Sequence, residues 1–258
     1  MSYNLITKHY KSFLVRKSII LIICIIILPL NIYGRTLTVG ISHFDPSFVI
    51  QLSPKHFSGF DIDLIQNICK KLNDDCTLIS MDWDELIDAV AQKKVDIAVS
   101  GLTIPQSHSS PVAFSIPYLI MNIDTIGLKK NVIGHFNMRM LINANIGTTD
   151  KDYWTLFKKL NLKSTNFILF DQDDELINAL KVGKIKFALV DSYTASYWEV
   201  NSSNTIKDLG PVTHLEYFTA IAINPNDPEL QNEINKALTD YLHSKDFMDN
   251  YRNNLIHF

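Results

Sequence analysis

Two short stretches of this chain end in residues that suit the binding of a small charged molecule. Ser100-Gly101 offers a hydroxyl and backbone amides, and Val190-Asp191 offers a carboxylate. A carboxylate holds an ammonium group by a charge-assisted hydrogen bond, whereas amides and hydroxyls suit a polar or negative group. Together the two stretches predict a site for a small molecule with a positive end and a polar or negative end.

These stretches close the two copies of an internal repeat. The segments DELIDAVAQKKVDIAVSG (84–101) and DELINALKVGKIKFALVD (174–191) agree at seven positions without a gap. Each predicts a helix, a turn and a strand. Ligands of open α/β sheets collect beyond the carboxyl ends of the strands. If two lobes of like construction face each other, Ser100-Gly101 and Asp191 meet across one cleft.

Short apolar strands alternate with amphipathic helices along the chain, which predicts an α/β fold with parallel strands. In the first long helix Ile65, Ile68, Cys69 and Leu72 share one face. The expected strands are 36–39, 76–80, 95–100, 123–128, 141–146, 167–170, 185–190 and 217–223. Helices are expected after Gly59, over 84–92 and 151–160, from Asp174, and after 224–228.

The first 34 residues have the order of a secretory signal peptide. Basic residues precede an apolar run from Ile19 to Leu30, and Gly34 offers a small residue for cleavage. About a dozen apolar residues are few for a membrane span, which needs roughly 20. We predict export and cleavage; an uncleaved membrane anchor is the alternative.

Charge and cysteine content narrow the classes of function. Without the four basic residues of this segment, 20 Lys and Arg remain against 27 Asp and Glu. Nucleic-acid binding needs a basic face and is not expected. Cys69 and Cys76 remain, and in an oxidising compartment such a pair predicts a local disulfide. Two free buried thiols are the alternative, and no His or further Cys lies at metal-ligand spacing.

Further motifs follow one another along the chain. They are Gly59-Phe-Asp-Ile-Asp-Leu64, Ser100-Gly-Leu-Thr-Ile104, Phe114-Ser-Ile-Pro-Tyr118, Ile146-Gly-Thr-Thr149 and the strand 183–191. In this order they resemble the GFDxDL, GMTIT, FSxPY, GTT and GKxDAxxxD stretches of bacterial extracellular solute-binding protein family 3, the periplasmic proteins that serve ABC importers of polar amino acids. Cys69 and Cys76 are similar to a disulfide of some members. The resemblance covers nearly the whole chain after residue 34.

This resemblance implies a two-lobe clamshell of the type II periplasmic-binding-protein class, in which each lobe is a mixed sheet flanked by helices. It implies a first lobe from residues 35–124 and 215–258 and a second lobe from 125–214, after a signal peptide at 1–34. Two crossings near 123–128 and 214–223 would form the hinge. Ligand would then favour the closed state of the two lobes.

The resemblance also implies roles for single residues. Asp191 would hold an α-ammonium group, although a strand-end Asp can instead cap the helix that begins at Ser192. Trp83 would cover the ligand's side chain, although ordinary packing is the alternative. The remaining implied ligand-binding residues are Phe44, Ser100, Gly101 and Thr103 in the first lobe and Thr148 and Thr149 in the second.

One position departs from the family pattern. The arginine that clamps the ligand's α-carboxylate in the family corresponds to His108, and Pro105 alters the same loop. Histidine is mostly neutral at pH 7 and lacks the bidentate fork of a guanidinium. Three readings stay open: His108 binds the carboxylate weakly, the ligand has an amine but no α-carboxylate, or the pocket has diverged and His108 is a solvated loop residue.

The resulting prediction is a monomeric periplasmic binding protein that captures a small amine-bearing solute for an ABC permease in the inner membrane. An amino acid is the first candidate for this solute. No catalytic residue, cofactor, metal or nucleic-acid partner is expected. A secreted enzyme of cyclohexadienyl dehydratase type is one alternative, for which His43, His108 and Asp191 are a weak candidate set and Glu85 and Glu175 are expected to be solvated. A ligand sensor with a separate membrane partner is the other.

Overall fold

The computed structural model describes residues 34–105, 110–132, 136–159, 162 and 164–256. The chain divides after Gly34, and Arg35–Phe258 form one compact unit. The predicted signal peptide therefore lies, except for Gly34, outside the described residues. None of the helices in the described ranges is long and apolar enough to cross a membrane.

Thirteen strands are described, β1 to β13 in chain order. They are Thr36–Ser42, Phe44–Asp45, Val49–Ser53, His56–Ser58, Asp75–Met81, Ile97–Ala98, Ala113–Phe114, Leu119–Leu128, Asn145–Thr148, Asn166–Leu169, Phe187–Asp191, Ile206–Thr219 and Ala222–Ile223. The described α-helices, α1 to α7, are Phe60–Leu72, Leu86–Ala91, Lys151–Lys159, Asp173–Lys181, Ser192–Asn201, Pro228–Leu242 and Lys245–Asn254.

Two five-stranded sheets define the two lobes. The first has the order β5-β1-β6-β13-β7 and the second β10-β9-β11-β8-β12. Each is mixed: β1 is parallel to β5 and β6, and β9 is parallel to β10 and β11, whereas β13 and β8 run antiparallel to their neighbours. A small antiparallel sheet has the order β2-β3-β4, and its Val49 packs in the same core as Val39 and Ile41 of β1. We call the parts built on these sheets the first lobe and the second lobe.

The internal repeat is a structural repeat, one copy in each lobe. After α2 the N–H of Lys94 donates to the carbonyl of Ala89 (2.8 Å), and after α4 the N–H of Lys184 donates to that of Ala179 (2.9 Å). The residue before each, Lys93 or Gly183, has a left-handed φ of 58° or 77°. The strands that come next, β6 and β11, then enter different sheets. Both copies thus end at the carboxyl end of a strand.

Helix α1 is formed by the predicted amphipathic pattern. Ile65, Ile68 and Cys69 are buried, and Asp61 and Asp63 lie in the first turn, where negative charge suits the helix dipole. Cys69 and Cys76 form a disulfide between α1 and β5, with Cα atoms 6.1 Å apart. The predicted disulfide is therefore confirmed.

Long antiparallel strands β8 and β12 connect the lobes. They pair from Leu128 opposite Ile206 to Leu119 opposite Thr219. At the latter end the chain joins the first lobe, where the N–H of Ala220 donates to the carbonyl of Leu102 at 3.0 Å. This is the expected pair of crossings, although the exact lobe boundaries at 124/125 and 214/215 stay a prediction.

Two predicted strands differ from the structure: the strand expected over 217–223 is divided between β12 and β13, and another is wrong in position. The apolar pattern predicts a strand over 141–146, but Met138–Leu141 is a 3-10 turn and β9 runs over Asn145–Thr148. Asn143 adopts a left-handed φ of 59° between them, a conformation that a strand does not accept. Leu141 is buried as part of this turn, whereas the neighbouring Ile142 is exposed.

Candidate functional site

A cleft between the lobes collects the ends of six strands. The space between its walls is about 950 Å³ when it is counted out into the open mouth. From the first lobe it receives the segments after β1, β5 and β6, and from the second those after β9, β10 and β11. The carboxyl ends of both sets of parallel strands therefore face one space, as the repeat predicts.

The first-lobe wall is held by a buried serine. The Oγ of Ser100 lies 2.6 Å from that of Ser42, and it donates to Oδ2 of Asp45 at 3.3 Å. Nε1 of Trp83 donates to the carbonyl of Ser100 at 2.9 Å. Ser100 thus positions Asp45 and the Trp83 indole, both of which line the cleft.

Asp61 of the GFDIDL motif supports the same wall from behind. Its Oδ2 accepts hydrogen bonds from the N–H of Gly101 (2.7 Å) and the hydroxyl of Tyr118 (2.9 Å). Burial raises the pKa of Asp61 to about 7. Gly101 has a φ of 58°, and a Cβ there would lie 3.0 Å from Oδ2 of Asp45. A glycine is therefore required at this bend of the cleft wall.

Asp191 lies on the second-lobe wall at the N-terminus of α5. Its Oδ1 accepts from the N–H groups of Tyr193 (2.9 Å) and Thr194 (3.0 Å). Burial raises the pKa of the carboxyl despite these hydrogen bonds. Asp191 is therefore both the cap of α5 and a cleft residue, so the two readings of its sequence position are compatible.

Two further aspartates hold the second-lobe wall. Oδ1 of Asp150 caps α3, accepting from the N–H groups of Asp152 (2.6 Å) and Tyr153 (3.1 Å). Oδ1 of Asp173 accepts from the hydroxyl of Thr149 at 3.0 Å. Burial raises the pKa of each carboxyl to about 6. Both residues line the cleft. Carboxyl groups therefore lie close to Thr148 and Thr149, the predicted ligand-binding residues of this wall.

Carboxyl groups of opposite lobes influence one another. Burial holds the pKa of Asp45 well above its usual range, and the charges of Asp173 and Asp191 add to the shift. Crowded carboxyls favour protonation until a cation enters between them. The cleft therefore has the electrostatics of a site for a positively charged group.

Contacts across the cleft join the lobes. The rings of Phe48 and Tyr193 meet edge to face with centroids 6.0 Å apart, and the hydroxyl of Thr194 donates to the carbonyl of Pro46 at 3.4 Å. At the mouth, Nζ of Lys151 lies 3.9 Å from Oδ2 of Asp84. The lobes thus touch on both sides of the enclosed space, as in a closed clamshell.

The structure brings most of the predicted site residues together. Those that line the cleft are Phe44, Trp83, Gly101, Thr103, Thr148, Thr149 and Asp191. Ser100 is buried behind the wall. His108 lies outside the described residues, so its role stays a prediction.

Sequence reasoning did not select Asp45, Asp150 and Asp173 as ligand-binding residues. The N-cap preference for aspartate before a helix was a usable signal for Asp150, which directly precedes α3. Glu85 and Glu175 are exposed, as expected.

Known proteins with similar sequences and structures are solute-binding proteins. The L-cystine-binding protein TcyJ of Escherichia coli (strain K12) is 23% identical over 208 residues, which cover 80% of this chain and 77% of that protein. The lysine/arginine/ornithine-binding periplasmic protein of the same strain is 27% identical over 192 residues, covering 70% and 73%. An ancestral arginine-binding protein bound to arginine superposes with a TM-score of 0.76 at 26% identity, covering 86% of this chain and 98% of that structure.

A family model extends the likeness along the chain. The model described as bacterial extracellular solute-binding proteins, family 3, matches residues 37–253. This range includes both sheets, the connecting strands and every described wall of the cleft. The chain belongs to bacterial extracellular solute-binding protein family 3 and has its two-lobe clamshell fold.

Proposed function

We propose that this chain is a periplasmic binding protein that captures a small amine-bearing solute in the cleft and passes it to an ABC importer. The observation that carries the proposal is the carboxyl of Asp191, fixed by the amides of Tyr193 and Thr194 on the wall of an enclosed cleft. A carboxylate fixed in this way can accept a charge-assisted hydrogen bond from an ammonium group.

The other walls support the binding of an amine. Thr148, Thr149 and Thr103 supply hydroxyl groups near the cleft, and Trp83 supplies an aromatic face. An ammonium group or an aliphatic chain packs favourably against such a face. We propose that the ammonium group of the solute binds Asp191 and that its hydrocarbon part packs against Trp83.

Closure around the solute completes the proposed mechanism. The contacts of Thr194 with Pro46 and of Tyr193 with Phe48 both lie beside the start of α5, whose cap is Asp191. Binding of an amine at Asp191 neutralises the repulsion between this residue and Asp45. The solute therefore stabilises the closed state and shifts the open–closed equilibrium toward it.

Cellular placement is inferred from the N-terminal segment and the relatives. We propose that residues 1–34 direct export and that the protein acts as a monomer in the periplasm, with an inner-membrane permease as its partner. The lysine/arginine/ornithine-binding relative is a periplasmic protein by name. The relatives compared with this chain are binding proteins, and we propose no catalytic role for the cleft residues.

Thermal unfolding against a panel of amino acids and simple amines tests this proposal. A ligand at about 100 times its dissociation constant stabilises the folded state by about 2.7 kcal/mol. For a chain of this length that corresponds to a rise in Tm of roughly 5–10 °C. The absence of a shift with every amine-bearing compound would show that the proposed function is wrong.

A matched pair of variants assigns the effect to the cleft. Asp191→Asn removes the charge and keeps a side chain that caps helices well, so it should abolish the ligand-induced shift while α5 stays folded. Asp88→Asn removes the same charge from an exposed position on α2 that does not line the cleft. This control should respond to ligand like the unmodified chain.

A further inference from the structure

Negative charge dominates the cleft. Its described lining includes three aspartates from the first lobe and four from the second. They are Asp45, Asp82, Asp84, Asp150, Asp171, Asp173 and Asp191. The same described lining contains two basic residues, Lys151 and His43. An amino acid brings a carboxylate as well as an ammonium group, so it must place an anion somewhere in this space.

The backbone amides at two helix N-termini of the cleft already serve the protein's own carboxylates. At the N-terminus of α3, the amides of Asp152 and Tyr153 donate to Asp150, and at the N-terminus of α5 two amides donate to Asp191. Helix N-termini are ready anion sites, but here a ligand carboxylate would have to displace an aspartate.

One amide of the first-lobe wall, that of Gly101, is also occupied. The N–H of Gly101 donates to Oδ2 of Asp61 at 2.7 Å. A ligand carboxylate placed next to Gly101 would also lie close to the carboxyl group of Asp45. Oδ2 of Asp45 is 3.0 Å from the position that a Cβ on Gly101 would take. Like charges placed side by side disfavour binding.

The two basic side chains of the described wall face aspartates at its mouth. Nζ of Lys151 is 3.9 Å from Asp84, and both side chains are exposed. Nδ1 of His43 is 2.6 Å from the hydroxyl of Ser80, and its Nε2 is 3.6 Å from Asp82. Charge pairs in such exposed positions contribute little to binding. Neither side chain is a buried clamp for an anion.

Acidic groups from both lobes are combined with apolar surface. Asp45 belongs to the first lobe and Asp173 and Asp191 to the second, and their charges interact. Phe48, Met121 and Phe170 also line the cleft. Methylene groups pack on such surfaces while charged ends reach polar groups. A chain of methylenes with a cation at each end matches this distribution.

We infer that the ligand of this cleft is an aliphatic amine with two cationic ends and no carboxylate, of the diamine or guanidino-amine class. This inference rests on the function proposed above and narrows the class of solute from amine-bearing compounds in general to those without a carboxylate. It separates this chain from relatives whose names give cystine or lysine, arginine and ornithine as ligands.

Pairs of compounds that differ only in the carboxylate provide the test. Calorimetric titration compares putrescine with ornithine, cadaverine with lysine, and agmatine with arginine. We expect the amine of at least one pair to bind roughly tenfold or more tightly than its amino acid. Equal or tighter binding of the amino acid in every pair would overturn this inference and leave the proposed function intact. Binding of no amine-bearing compound would overturn both.

A variant tests the stated cause of the discrimination. Asp150→Asn removes one charge at the N-terminus of α3 and keeps a capping oxygen, so the amine-to-amino-acid affinity ratio should fall by roughly threefold or more. Asp240→Asn removes the same charge from an exposed position on α6 that does not line the cleft. The ratio should not change in this control. An equal effect of both variants, or of neither, would contradict the exclusion of a carboxylate by Asp150.

Discussion

At the scale of single residues, Asp61 shows how a motif residue acts from behind a binding site. It is buried, and its Oδ2 holds both the N–H of Gly101 and the hydroxyl of Tyr118. Gly101 in turn forms part of the cleft wall next to Asp45. The aspartate of the GFDIDL motif therefore fixes the cleft wall without lining the cleft itself.

Replacement of Asp61 by alanine should lower the free energy of unfolding by about 2–4 kcal/mol, because two buried donors lose their acceptor. Asp61→Asn keeps an acceptor oxygen and should cost less. Urea denaturation of the two variants and the unmodified chain measures both differences. Equal stability of the alanine and asparagine variants would show that these hydrogen bonds do not matter.

Titration of the cleft carboxyls should couple amine binding to pH. Burial raises the pKa values of Asp150 and Asp173 to about 6. Asp150 faces Asp152, Asp191 and two amides, and Asp173 faces Asp174, Asp191 and the hydroxyl of Thr149. A bound cation favours the ionised carboxylates and lowers these pKa values.

Affinity for an amine should therefore rise as pH rises through about 6 and level off above the pKa values of the ligand-free carboxyls. Below that range the carboxyls hold protons that the amine must displace, so binding releases protons to the buffer. Calorimetric titration in buffers of different protonation enthalpy counts them. Proton uptake on binding, or an affinity that falls across this range, would contradict the assignment of these carboxyls to the site.

How much of the site the sequence predicts depends on the range of the interactions. Asp191 and Ser100-Gly101 are identifiable because the repeat places both at strand ends, and strand ends can be inferred from local patterns. Asp45 and Asp173 come together only when the lobes face each other. That arrangement depends on long-range packing, which a linear pattern does not encode.

At the scale of elements, the two copies of the repeat form the same turn with different residues. Lys93 and Gly183 both follow a repeat helix with left-handed φ values of 58° and 77°, and both are exposed. A side chain incurs a steric penalty in this conformation that glycine avoids. A Cβ on Gly183 would contact nothing within 4 Å, so backbone conformation alone distinguishes the two positions.

Reciprocal substitutions should therefore have opposite effects. Lys93→Gly should raise the free energy of unfolding by about 0.5–1 kcal/mol, and Gly183→Lys should lower it by about 1 kcal/mol. Chemical denaturation of the two single variants measures both changes. Effects of the same sign would show that charge or helix propensity, rather than the left-handed turn, controls stability here.

The same comparison explains which elements the sequence predicts. Helices α1, α4 and α6 have clear apolar periodicity, and each begins near its predicted start. The predicted position of strand β9 is displaced because Leu141 and Ile142 continue an apolar run through a turn at Asn143. Apolar character alone does not tell a buried turn from a strand.

At the scale of the whole molecule, the fold brings one acidic wall from each lobe to a single cleft. Strands β8 and β12 connect the lobes, and contacts such as Thr194 to Pro46 join them beside the site. Under the proposed function, charge repulsion between these walls opposes closure and a bound cation relieves it. We therefore propose that capture of the solute and closure of the lobes are coupled.

A crystal structure of the chain with a bound amine tests the central claim most directly. We predict that an ammonium nitrogen lies within hydrogen-bonding distance of the Asp191 carboxylate, about 2.7–3.0 Å, between walls that also include Asp45 and Trp83. An amine bound outside the cleft, or bound in it with its nitrogen away from Asp191, would contradict the claim.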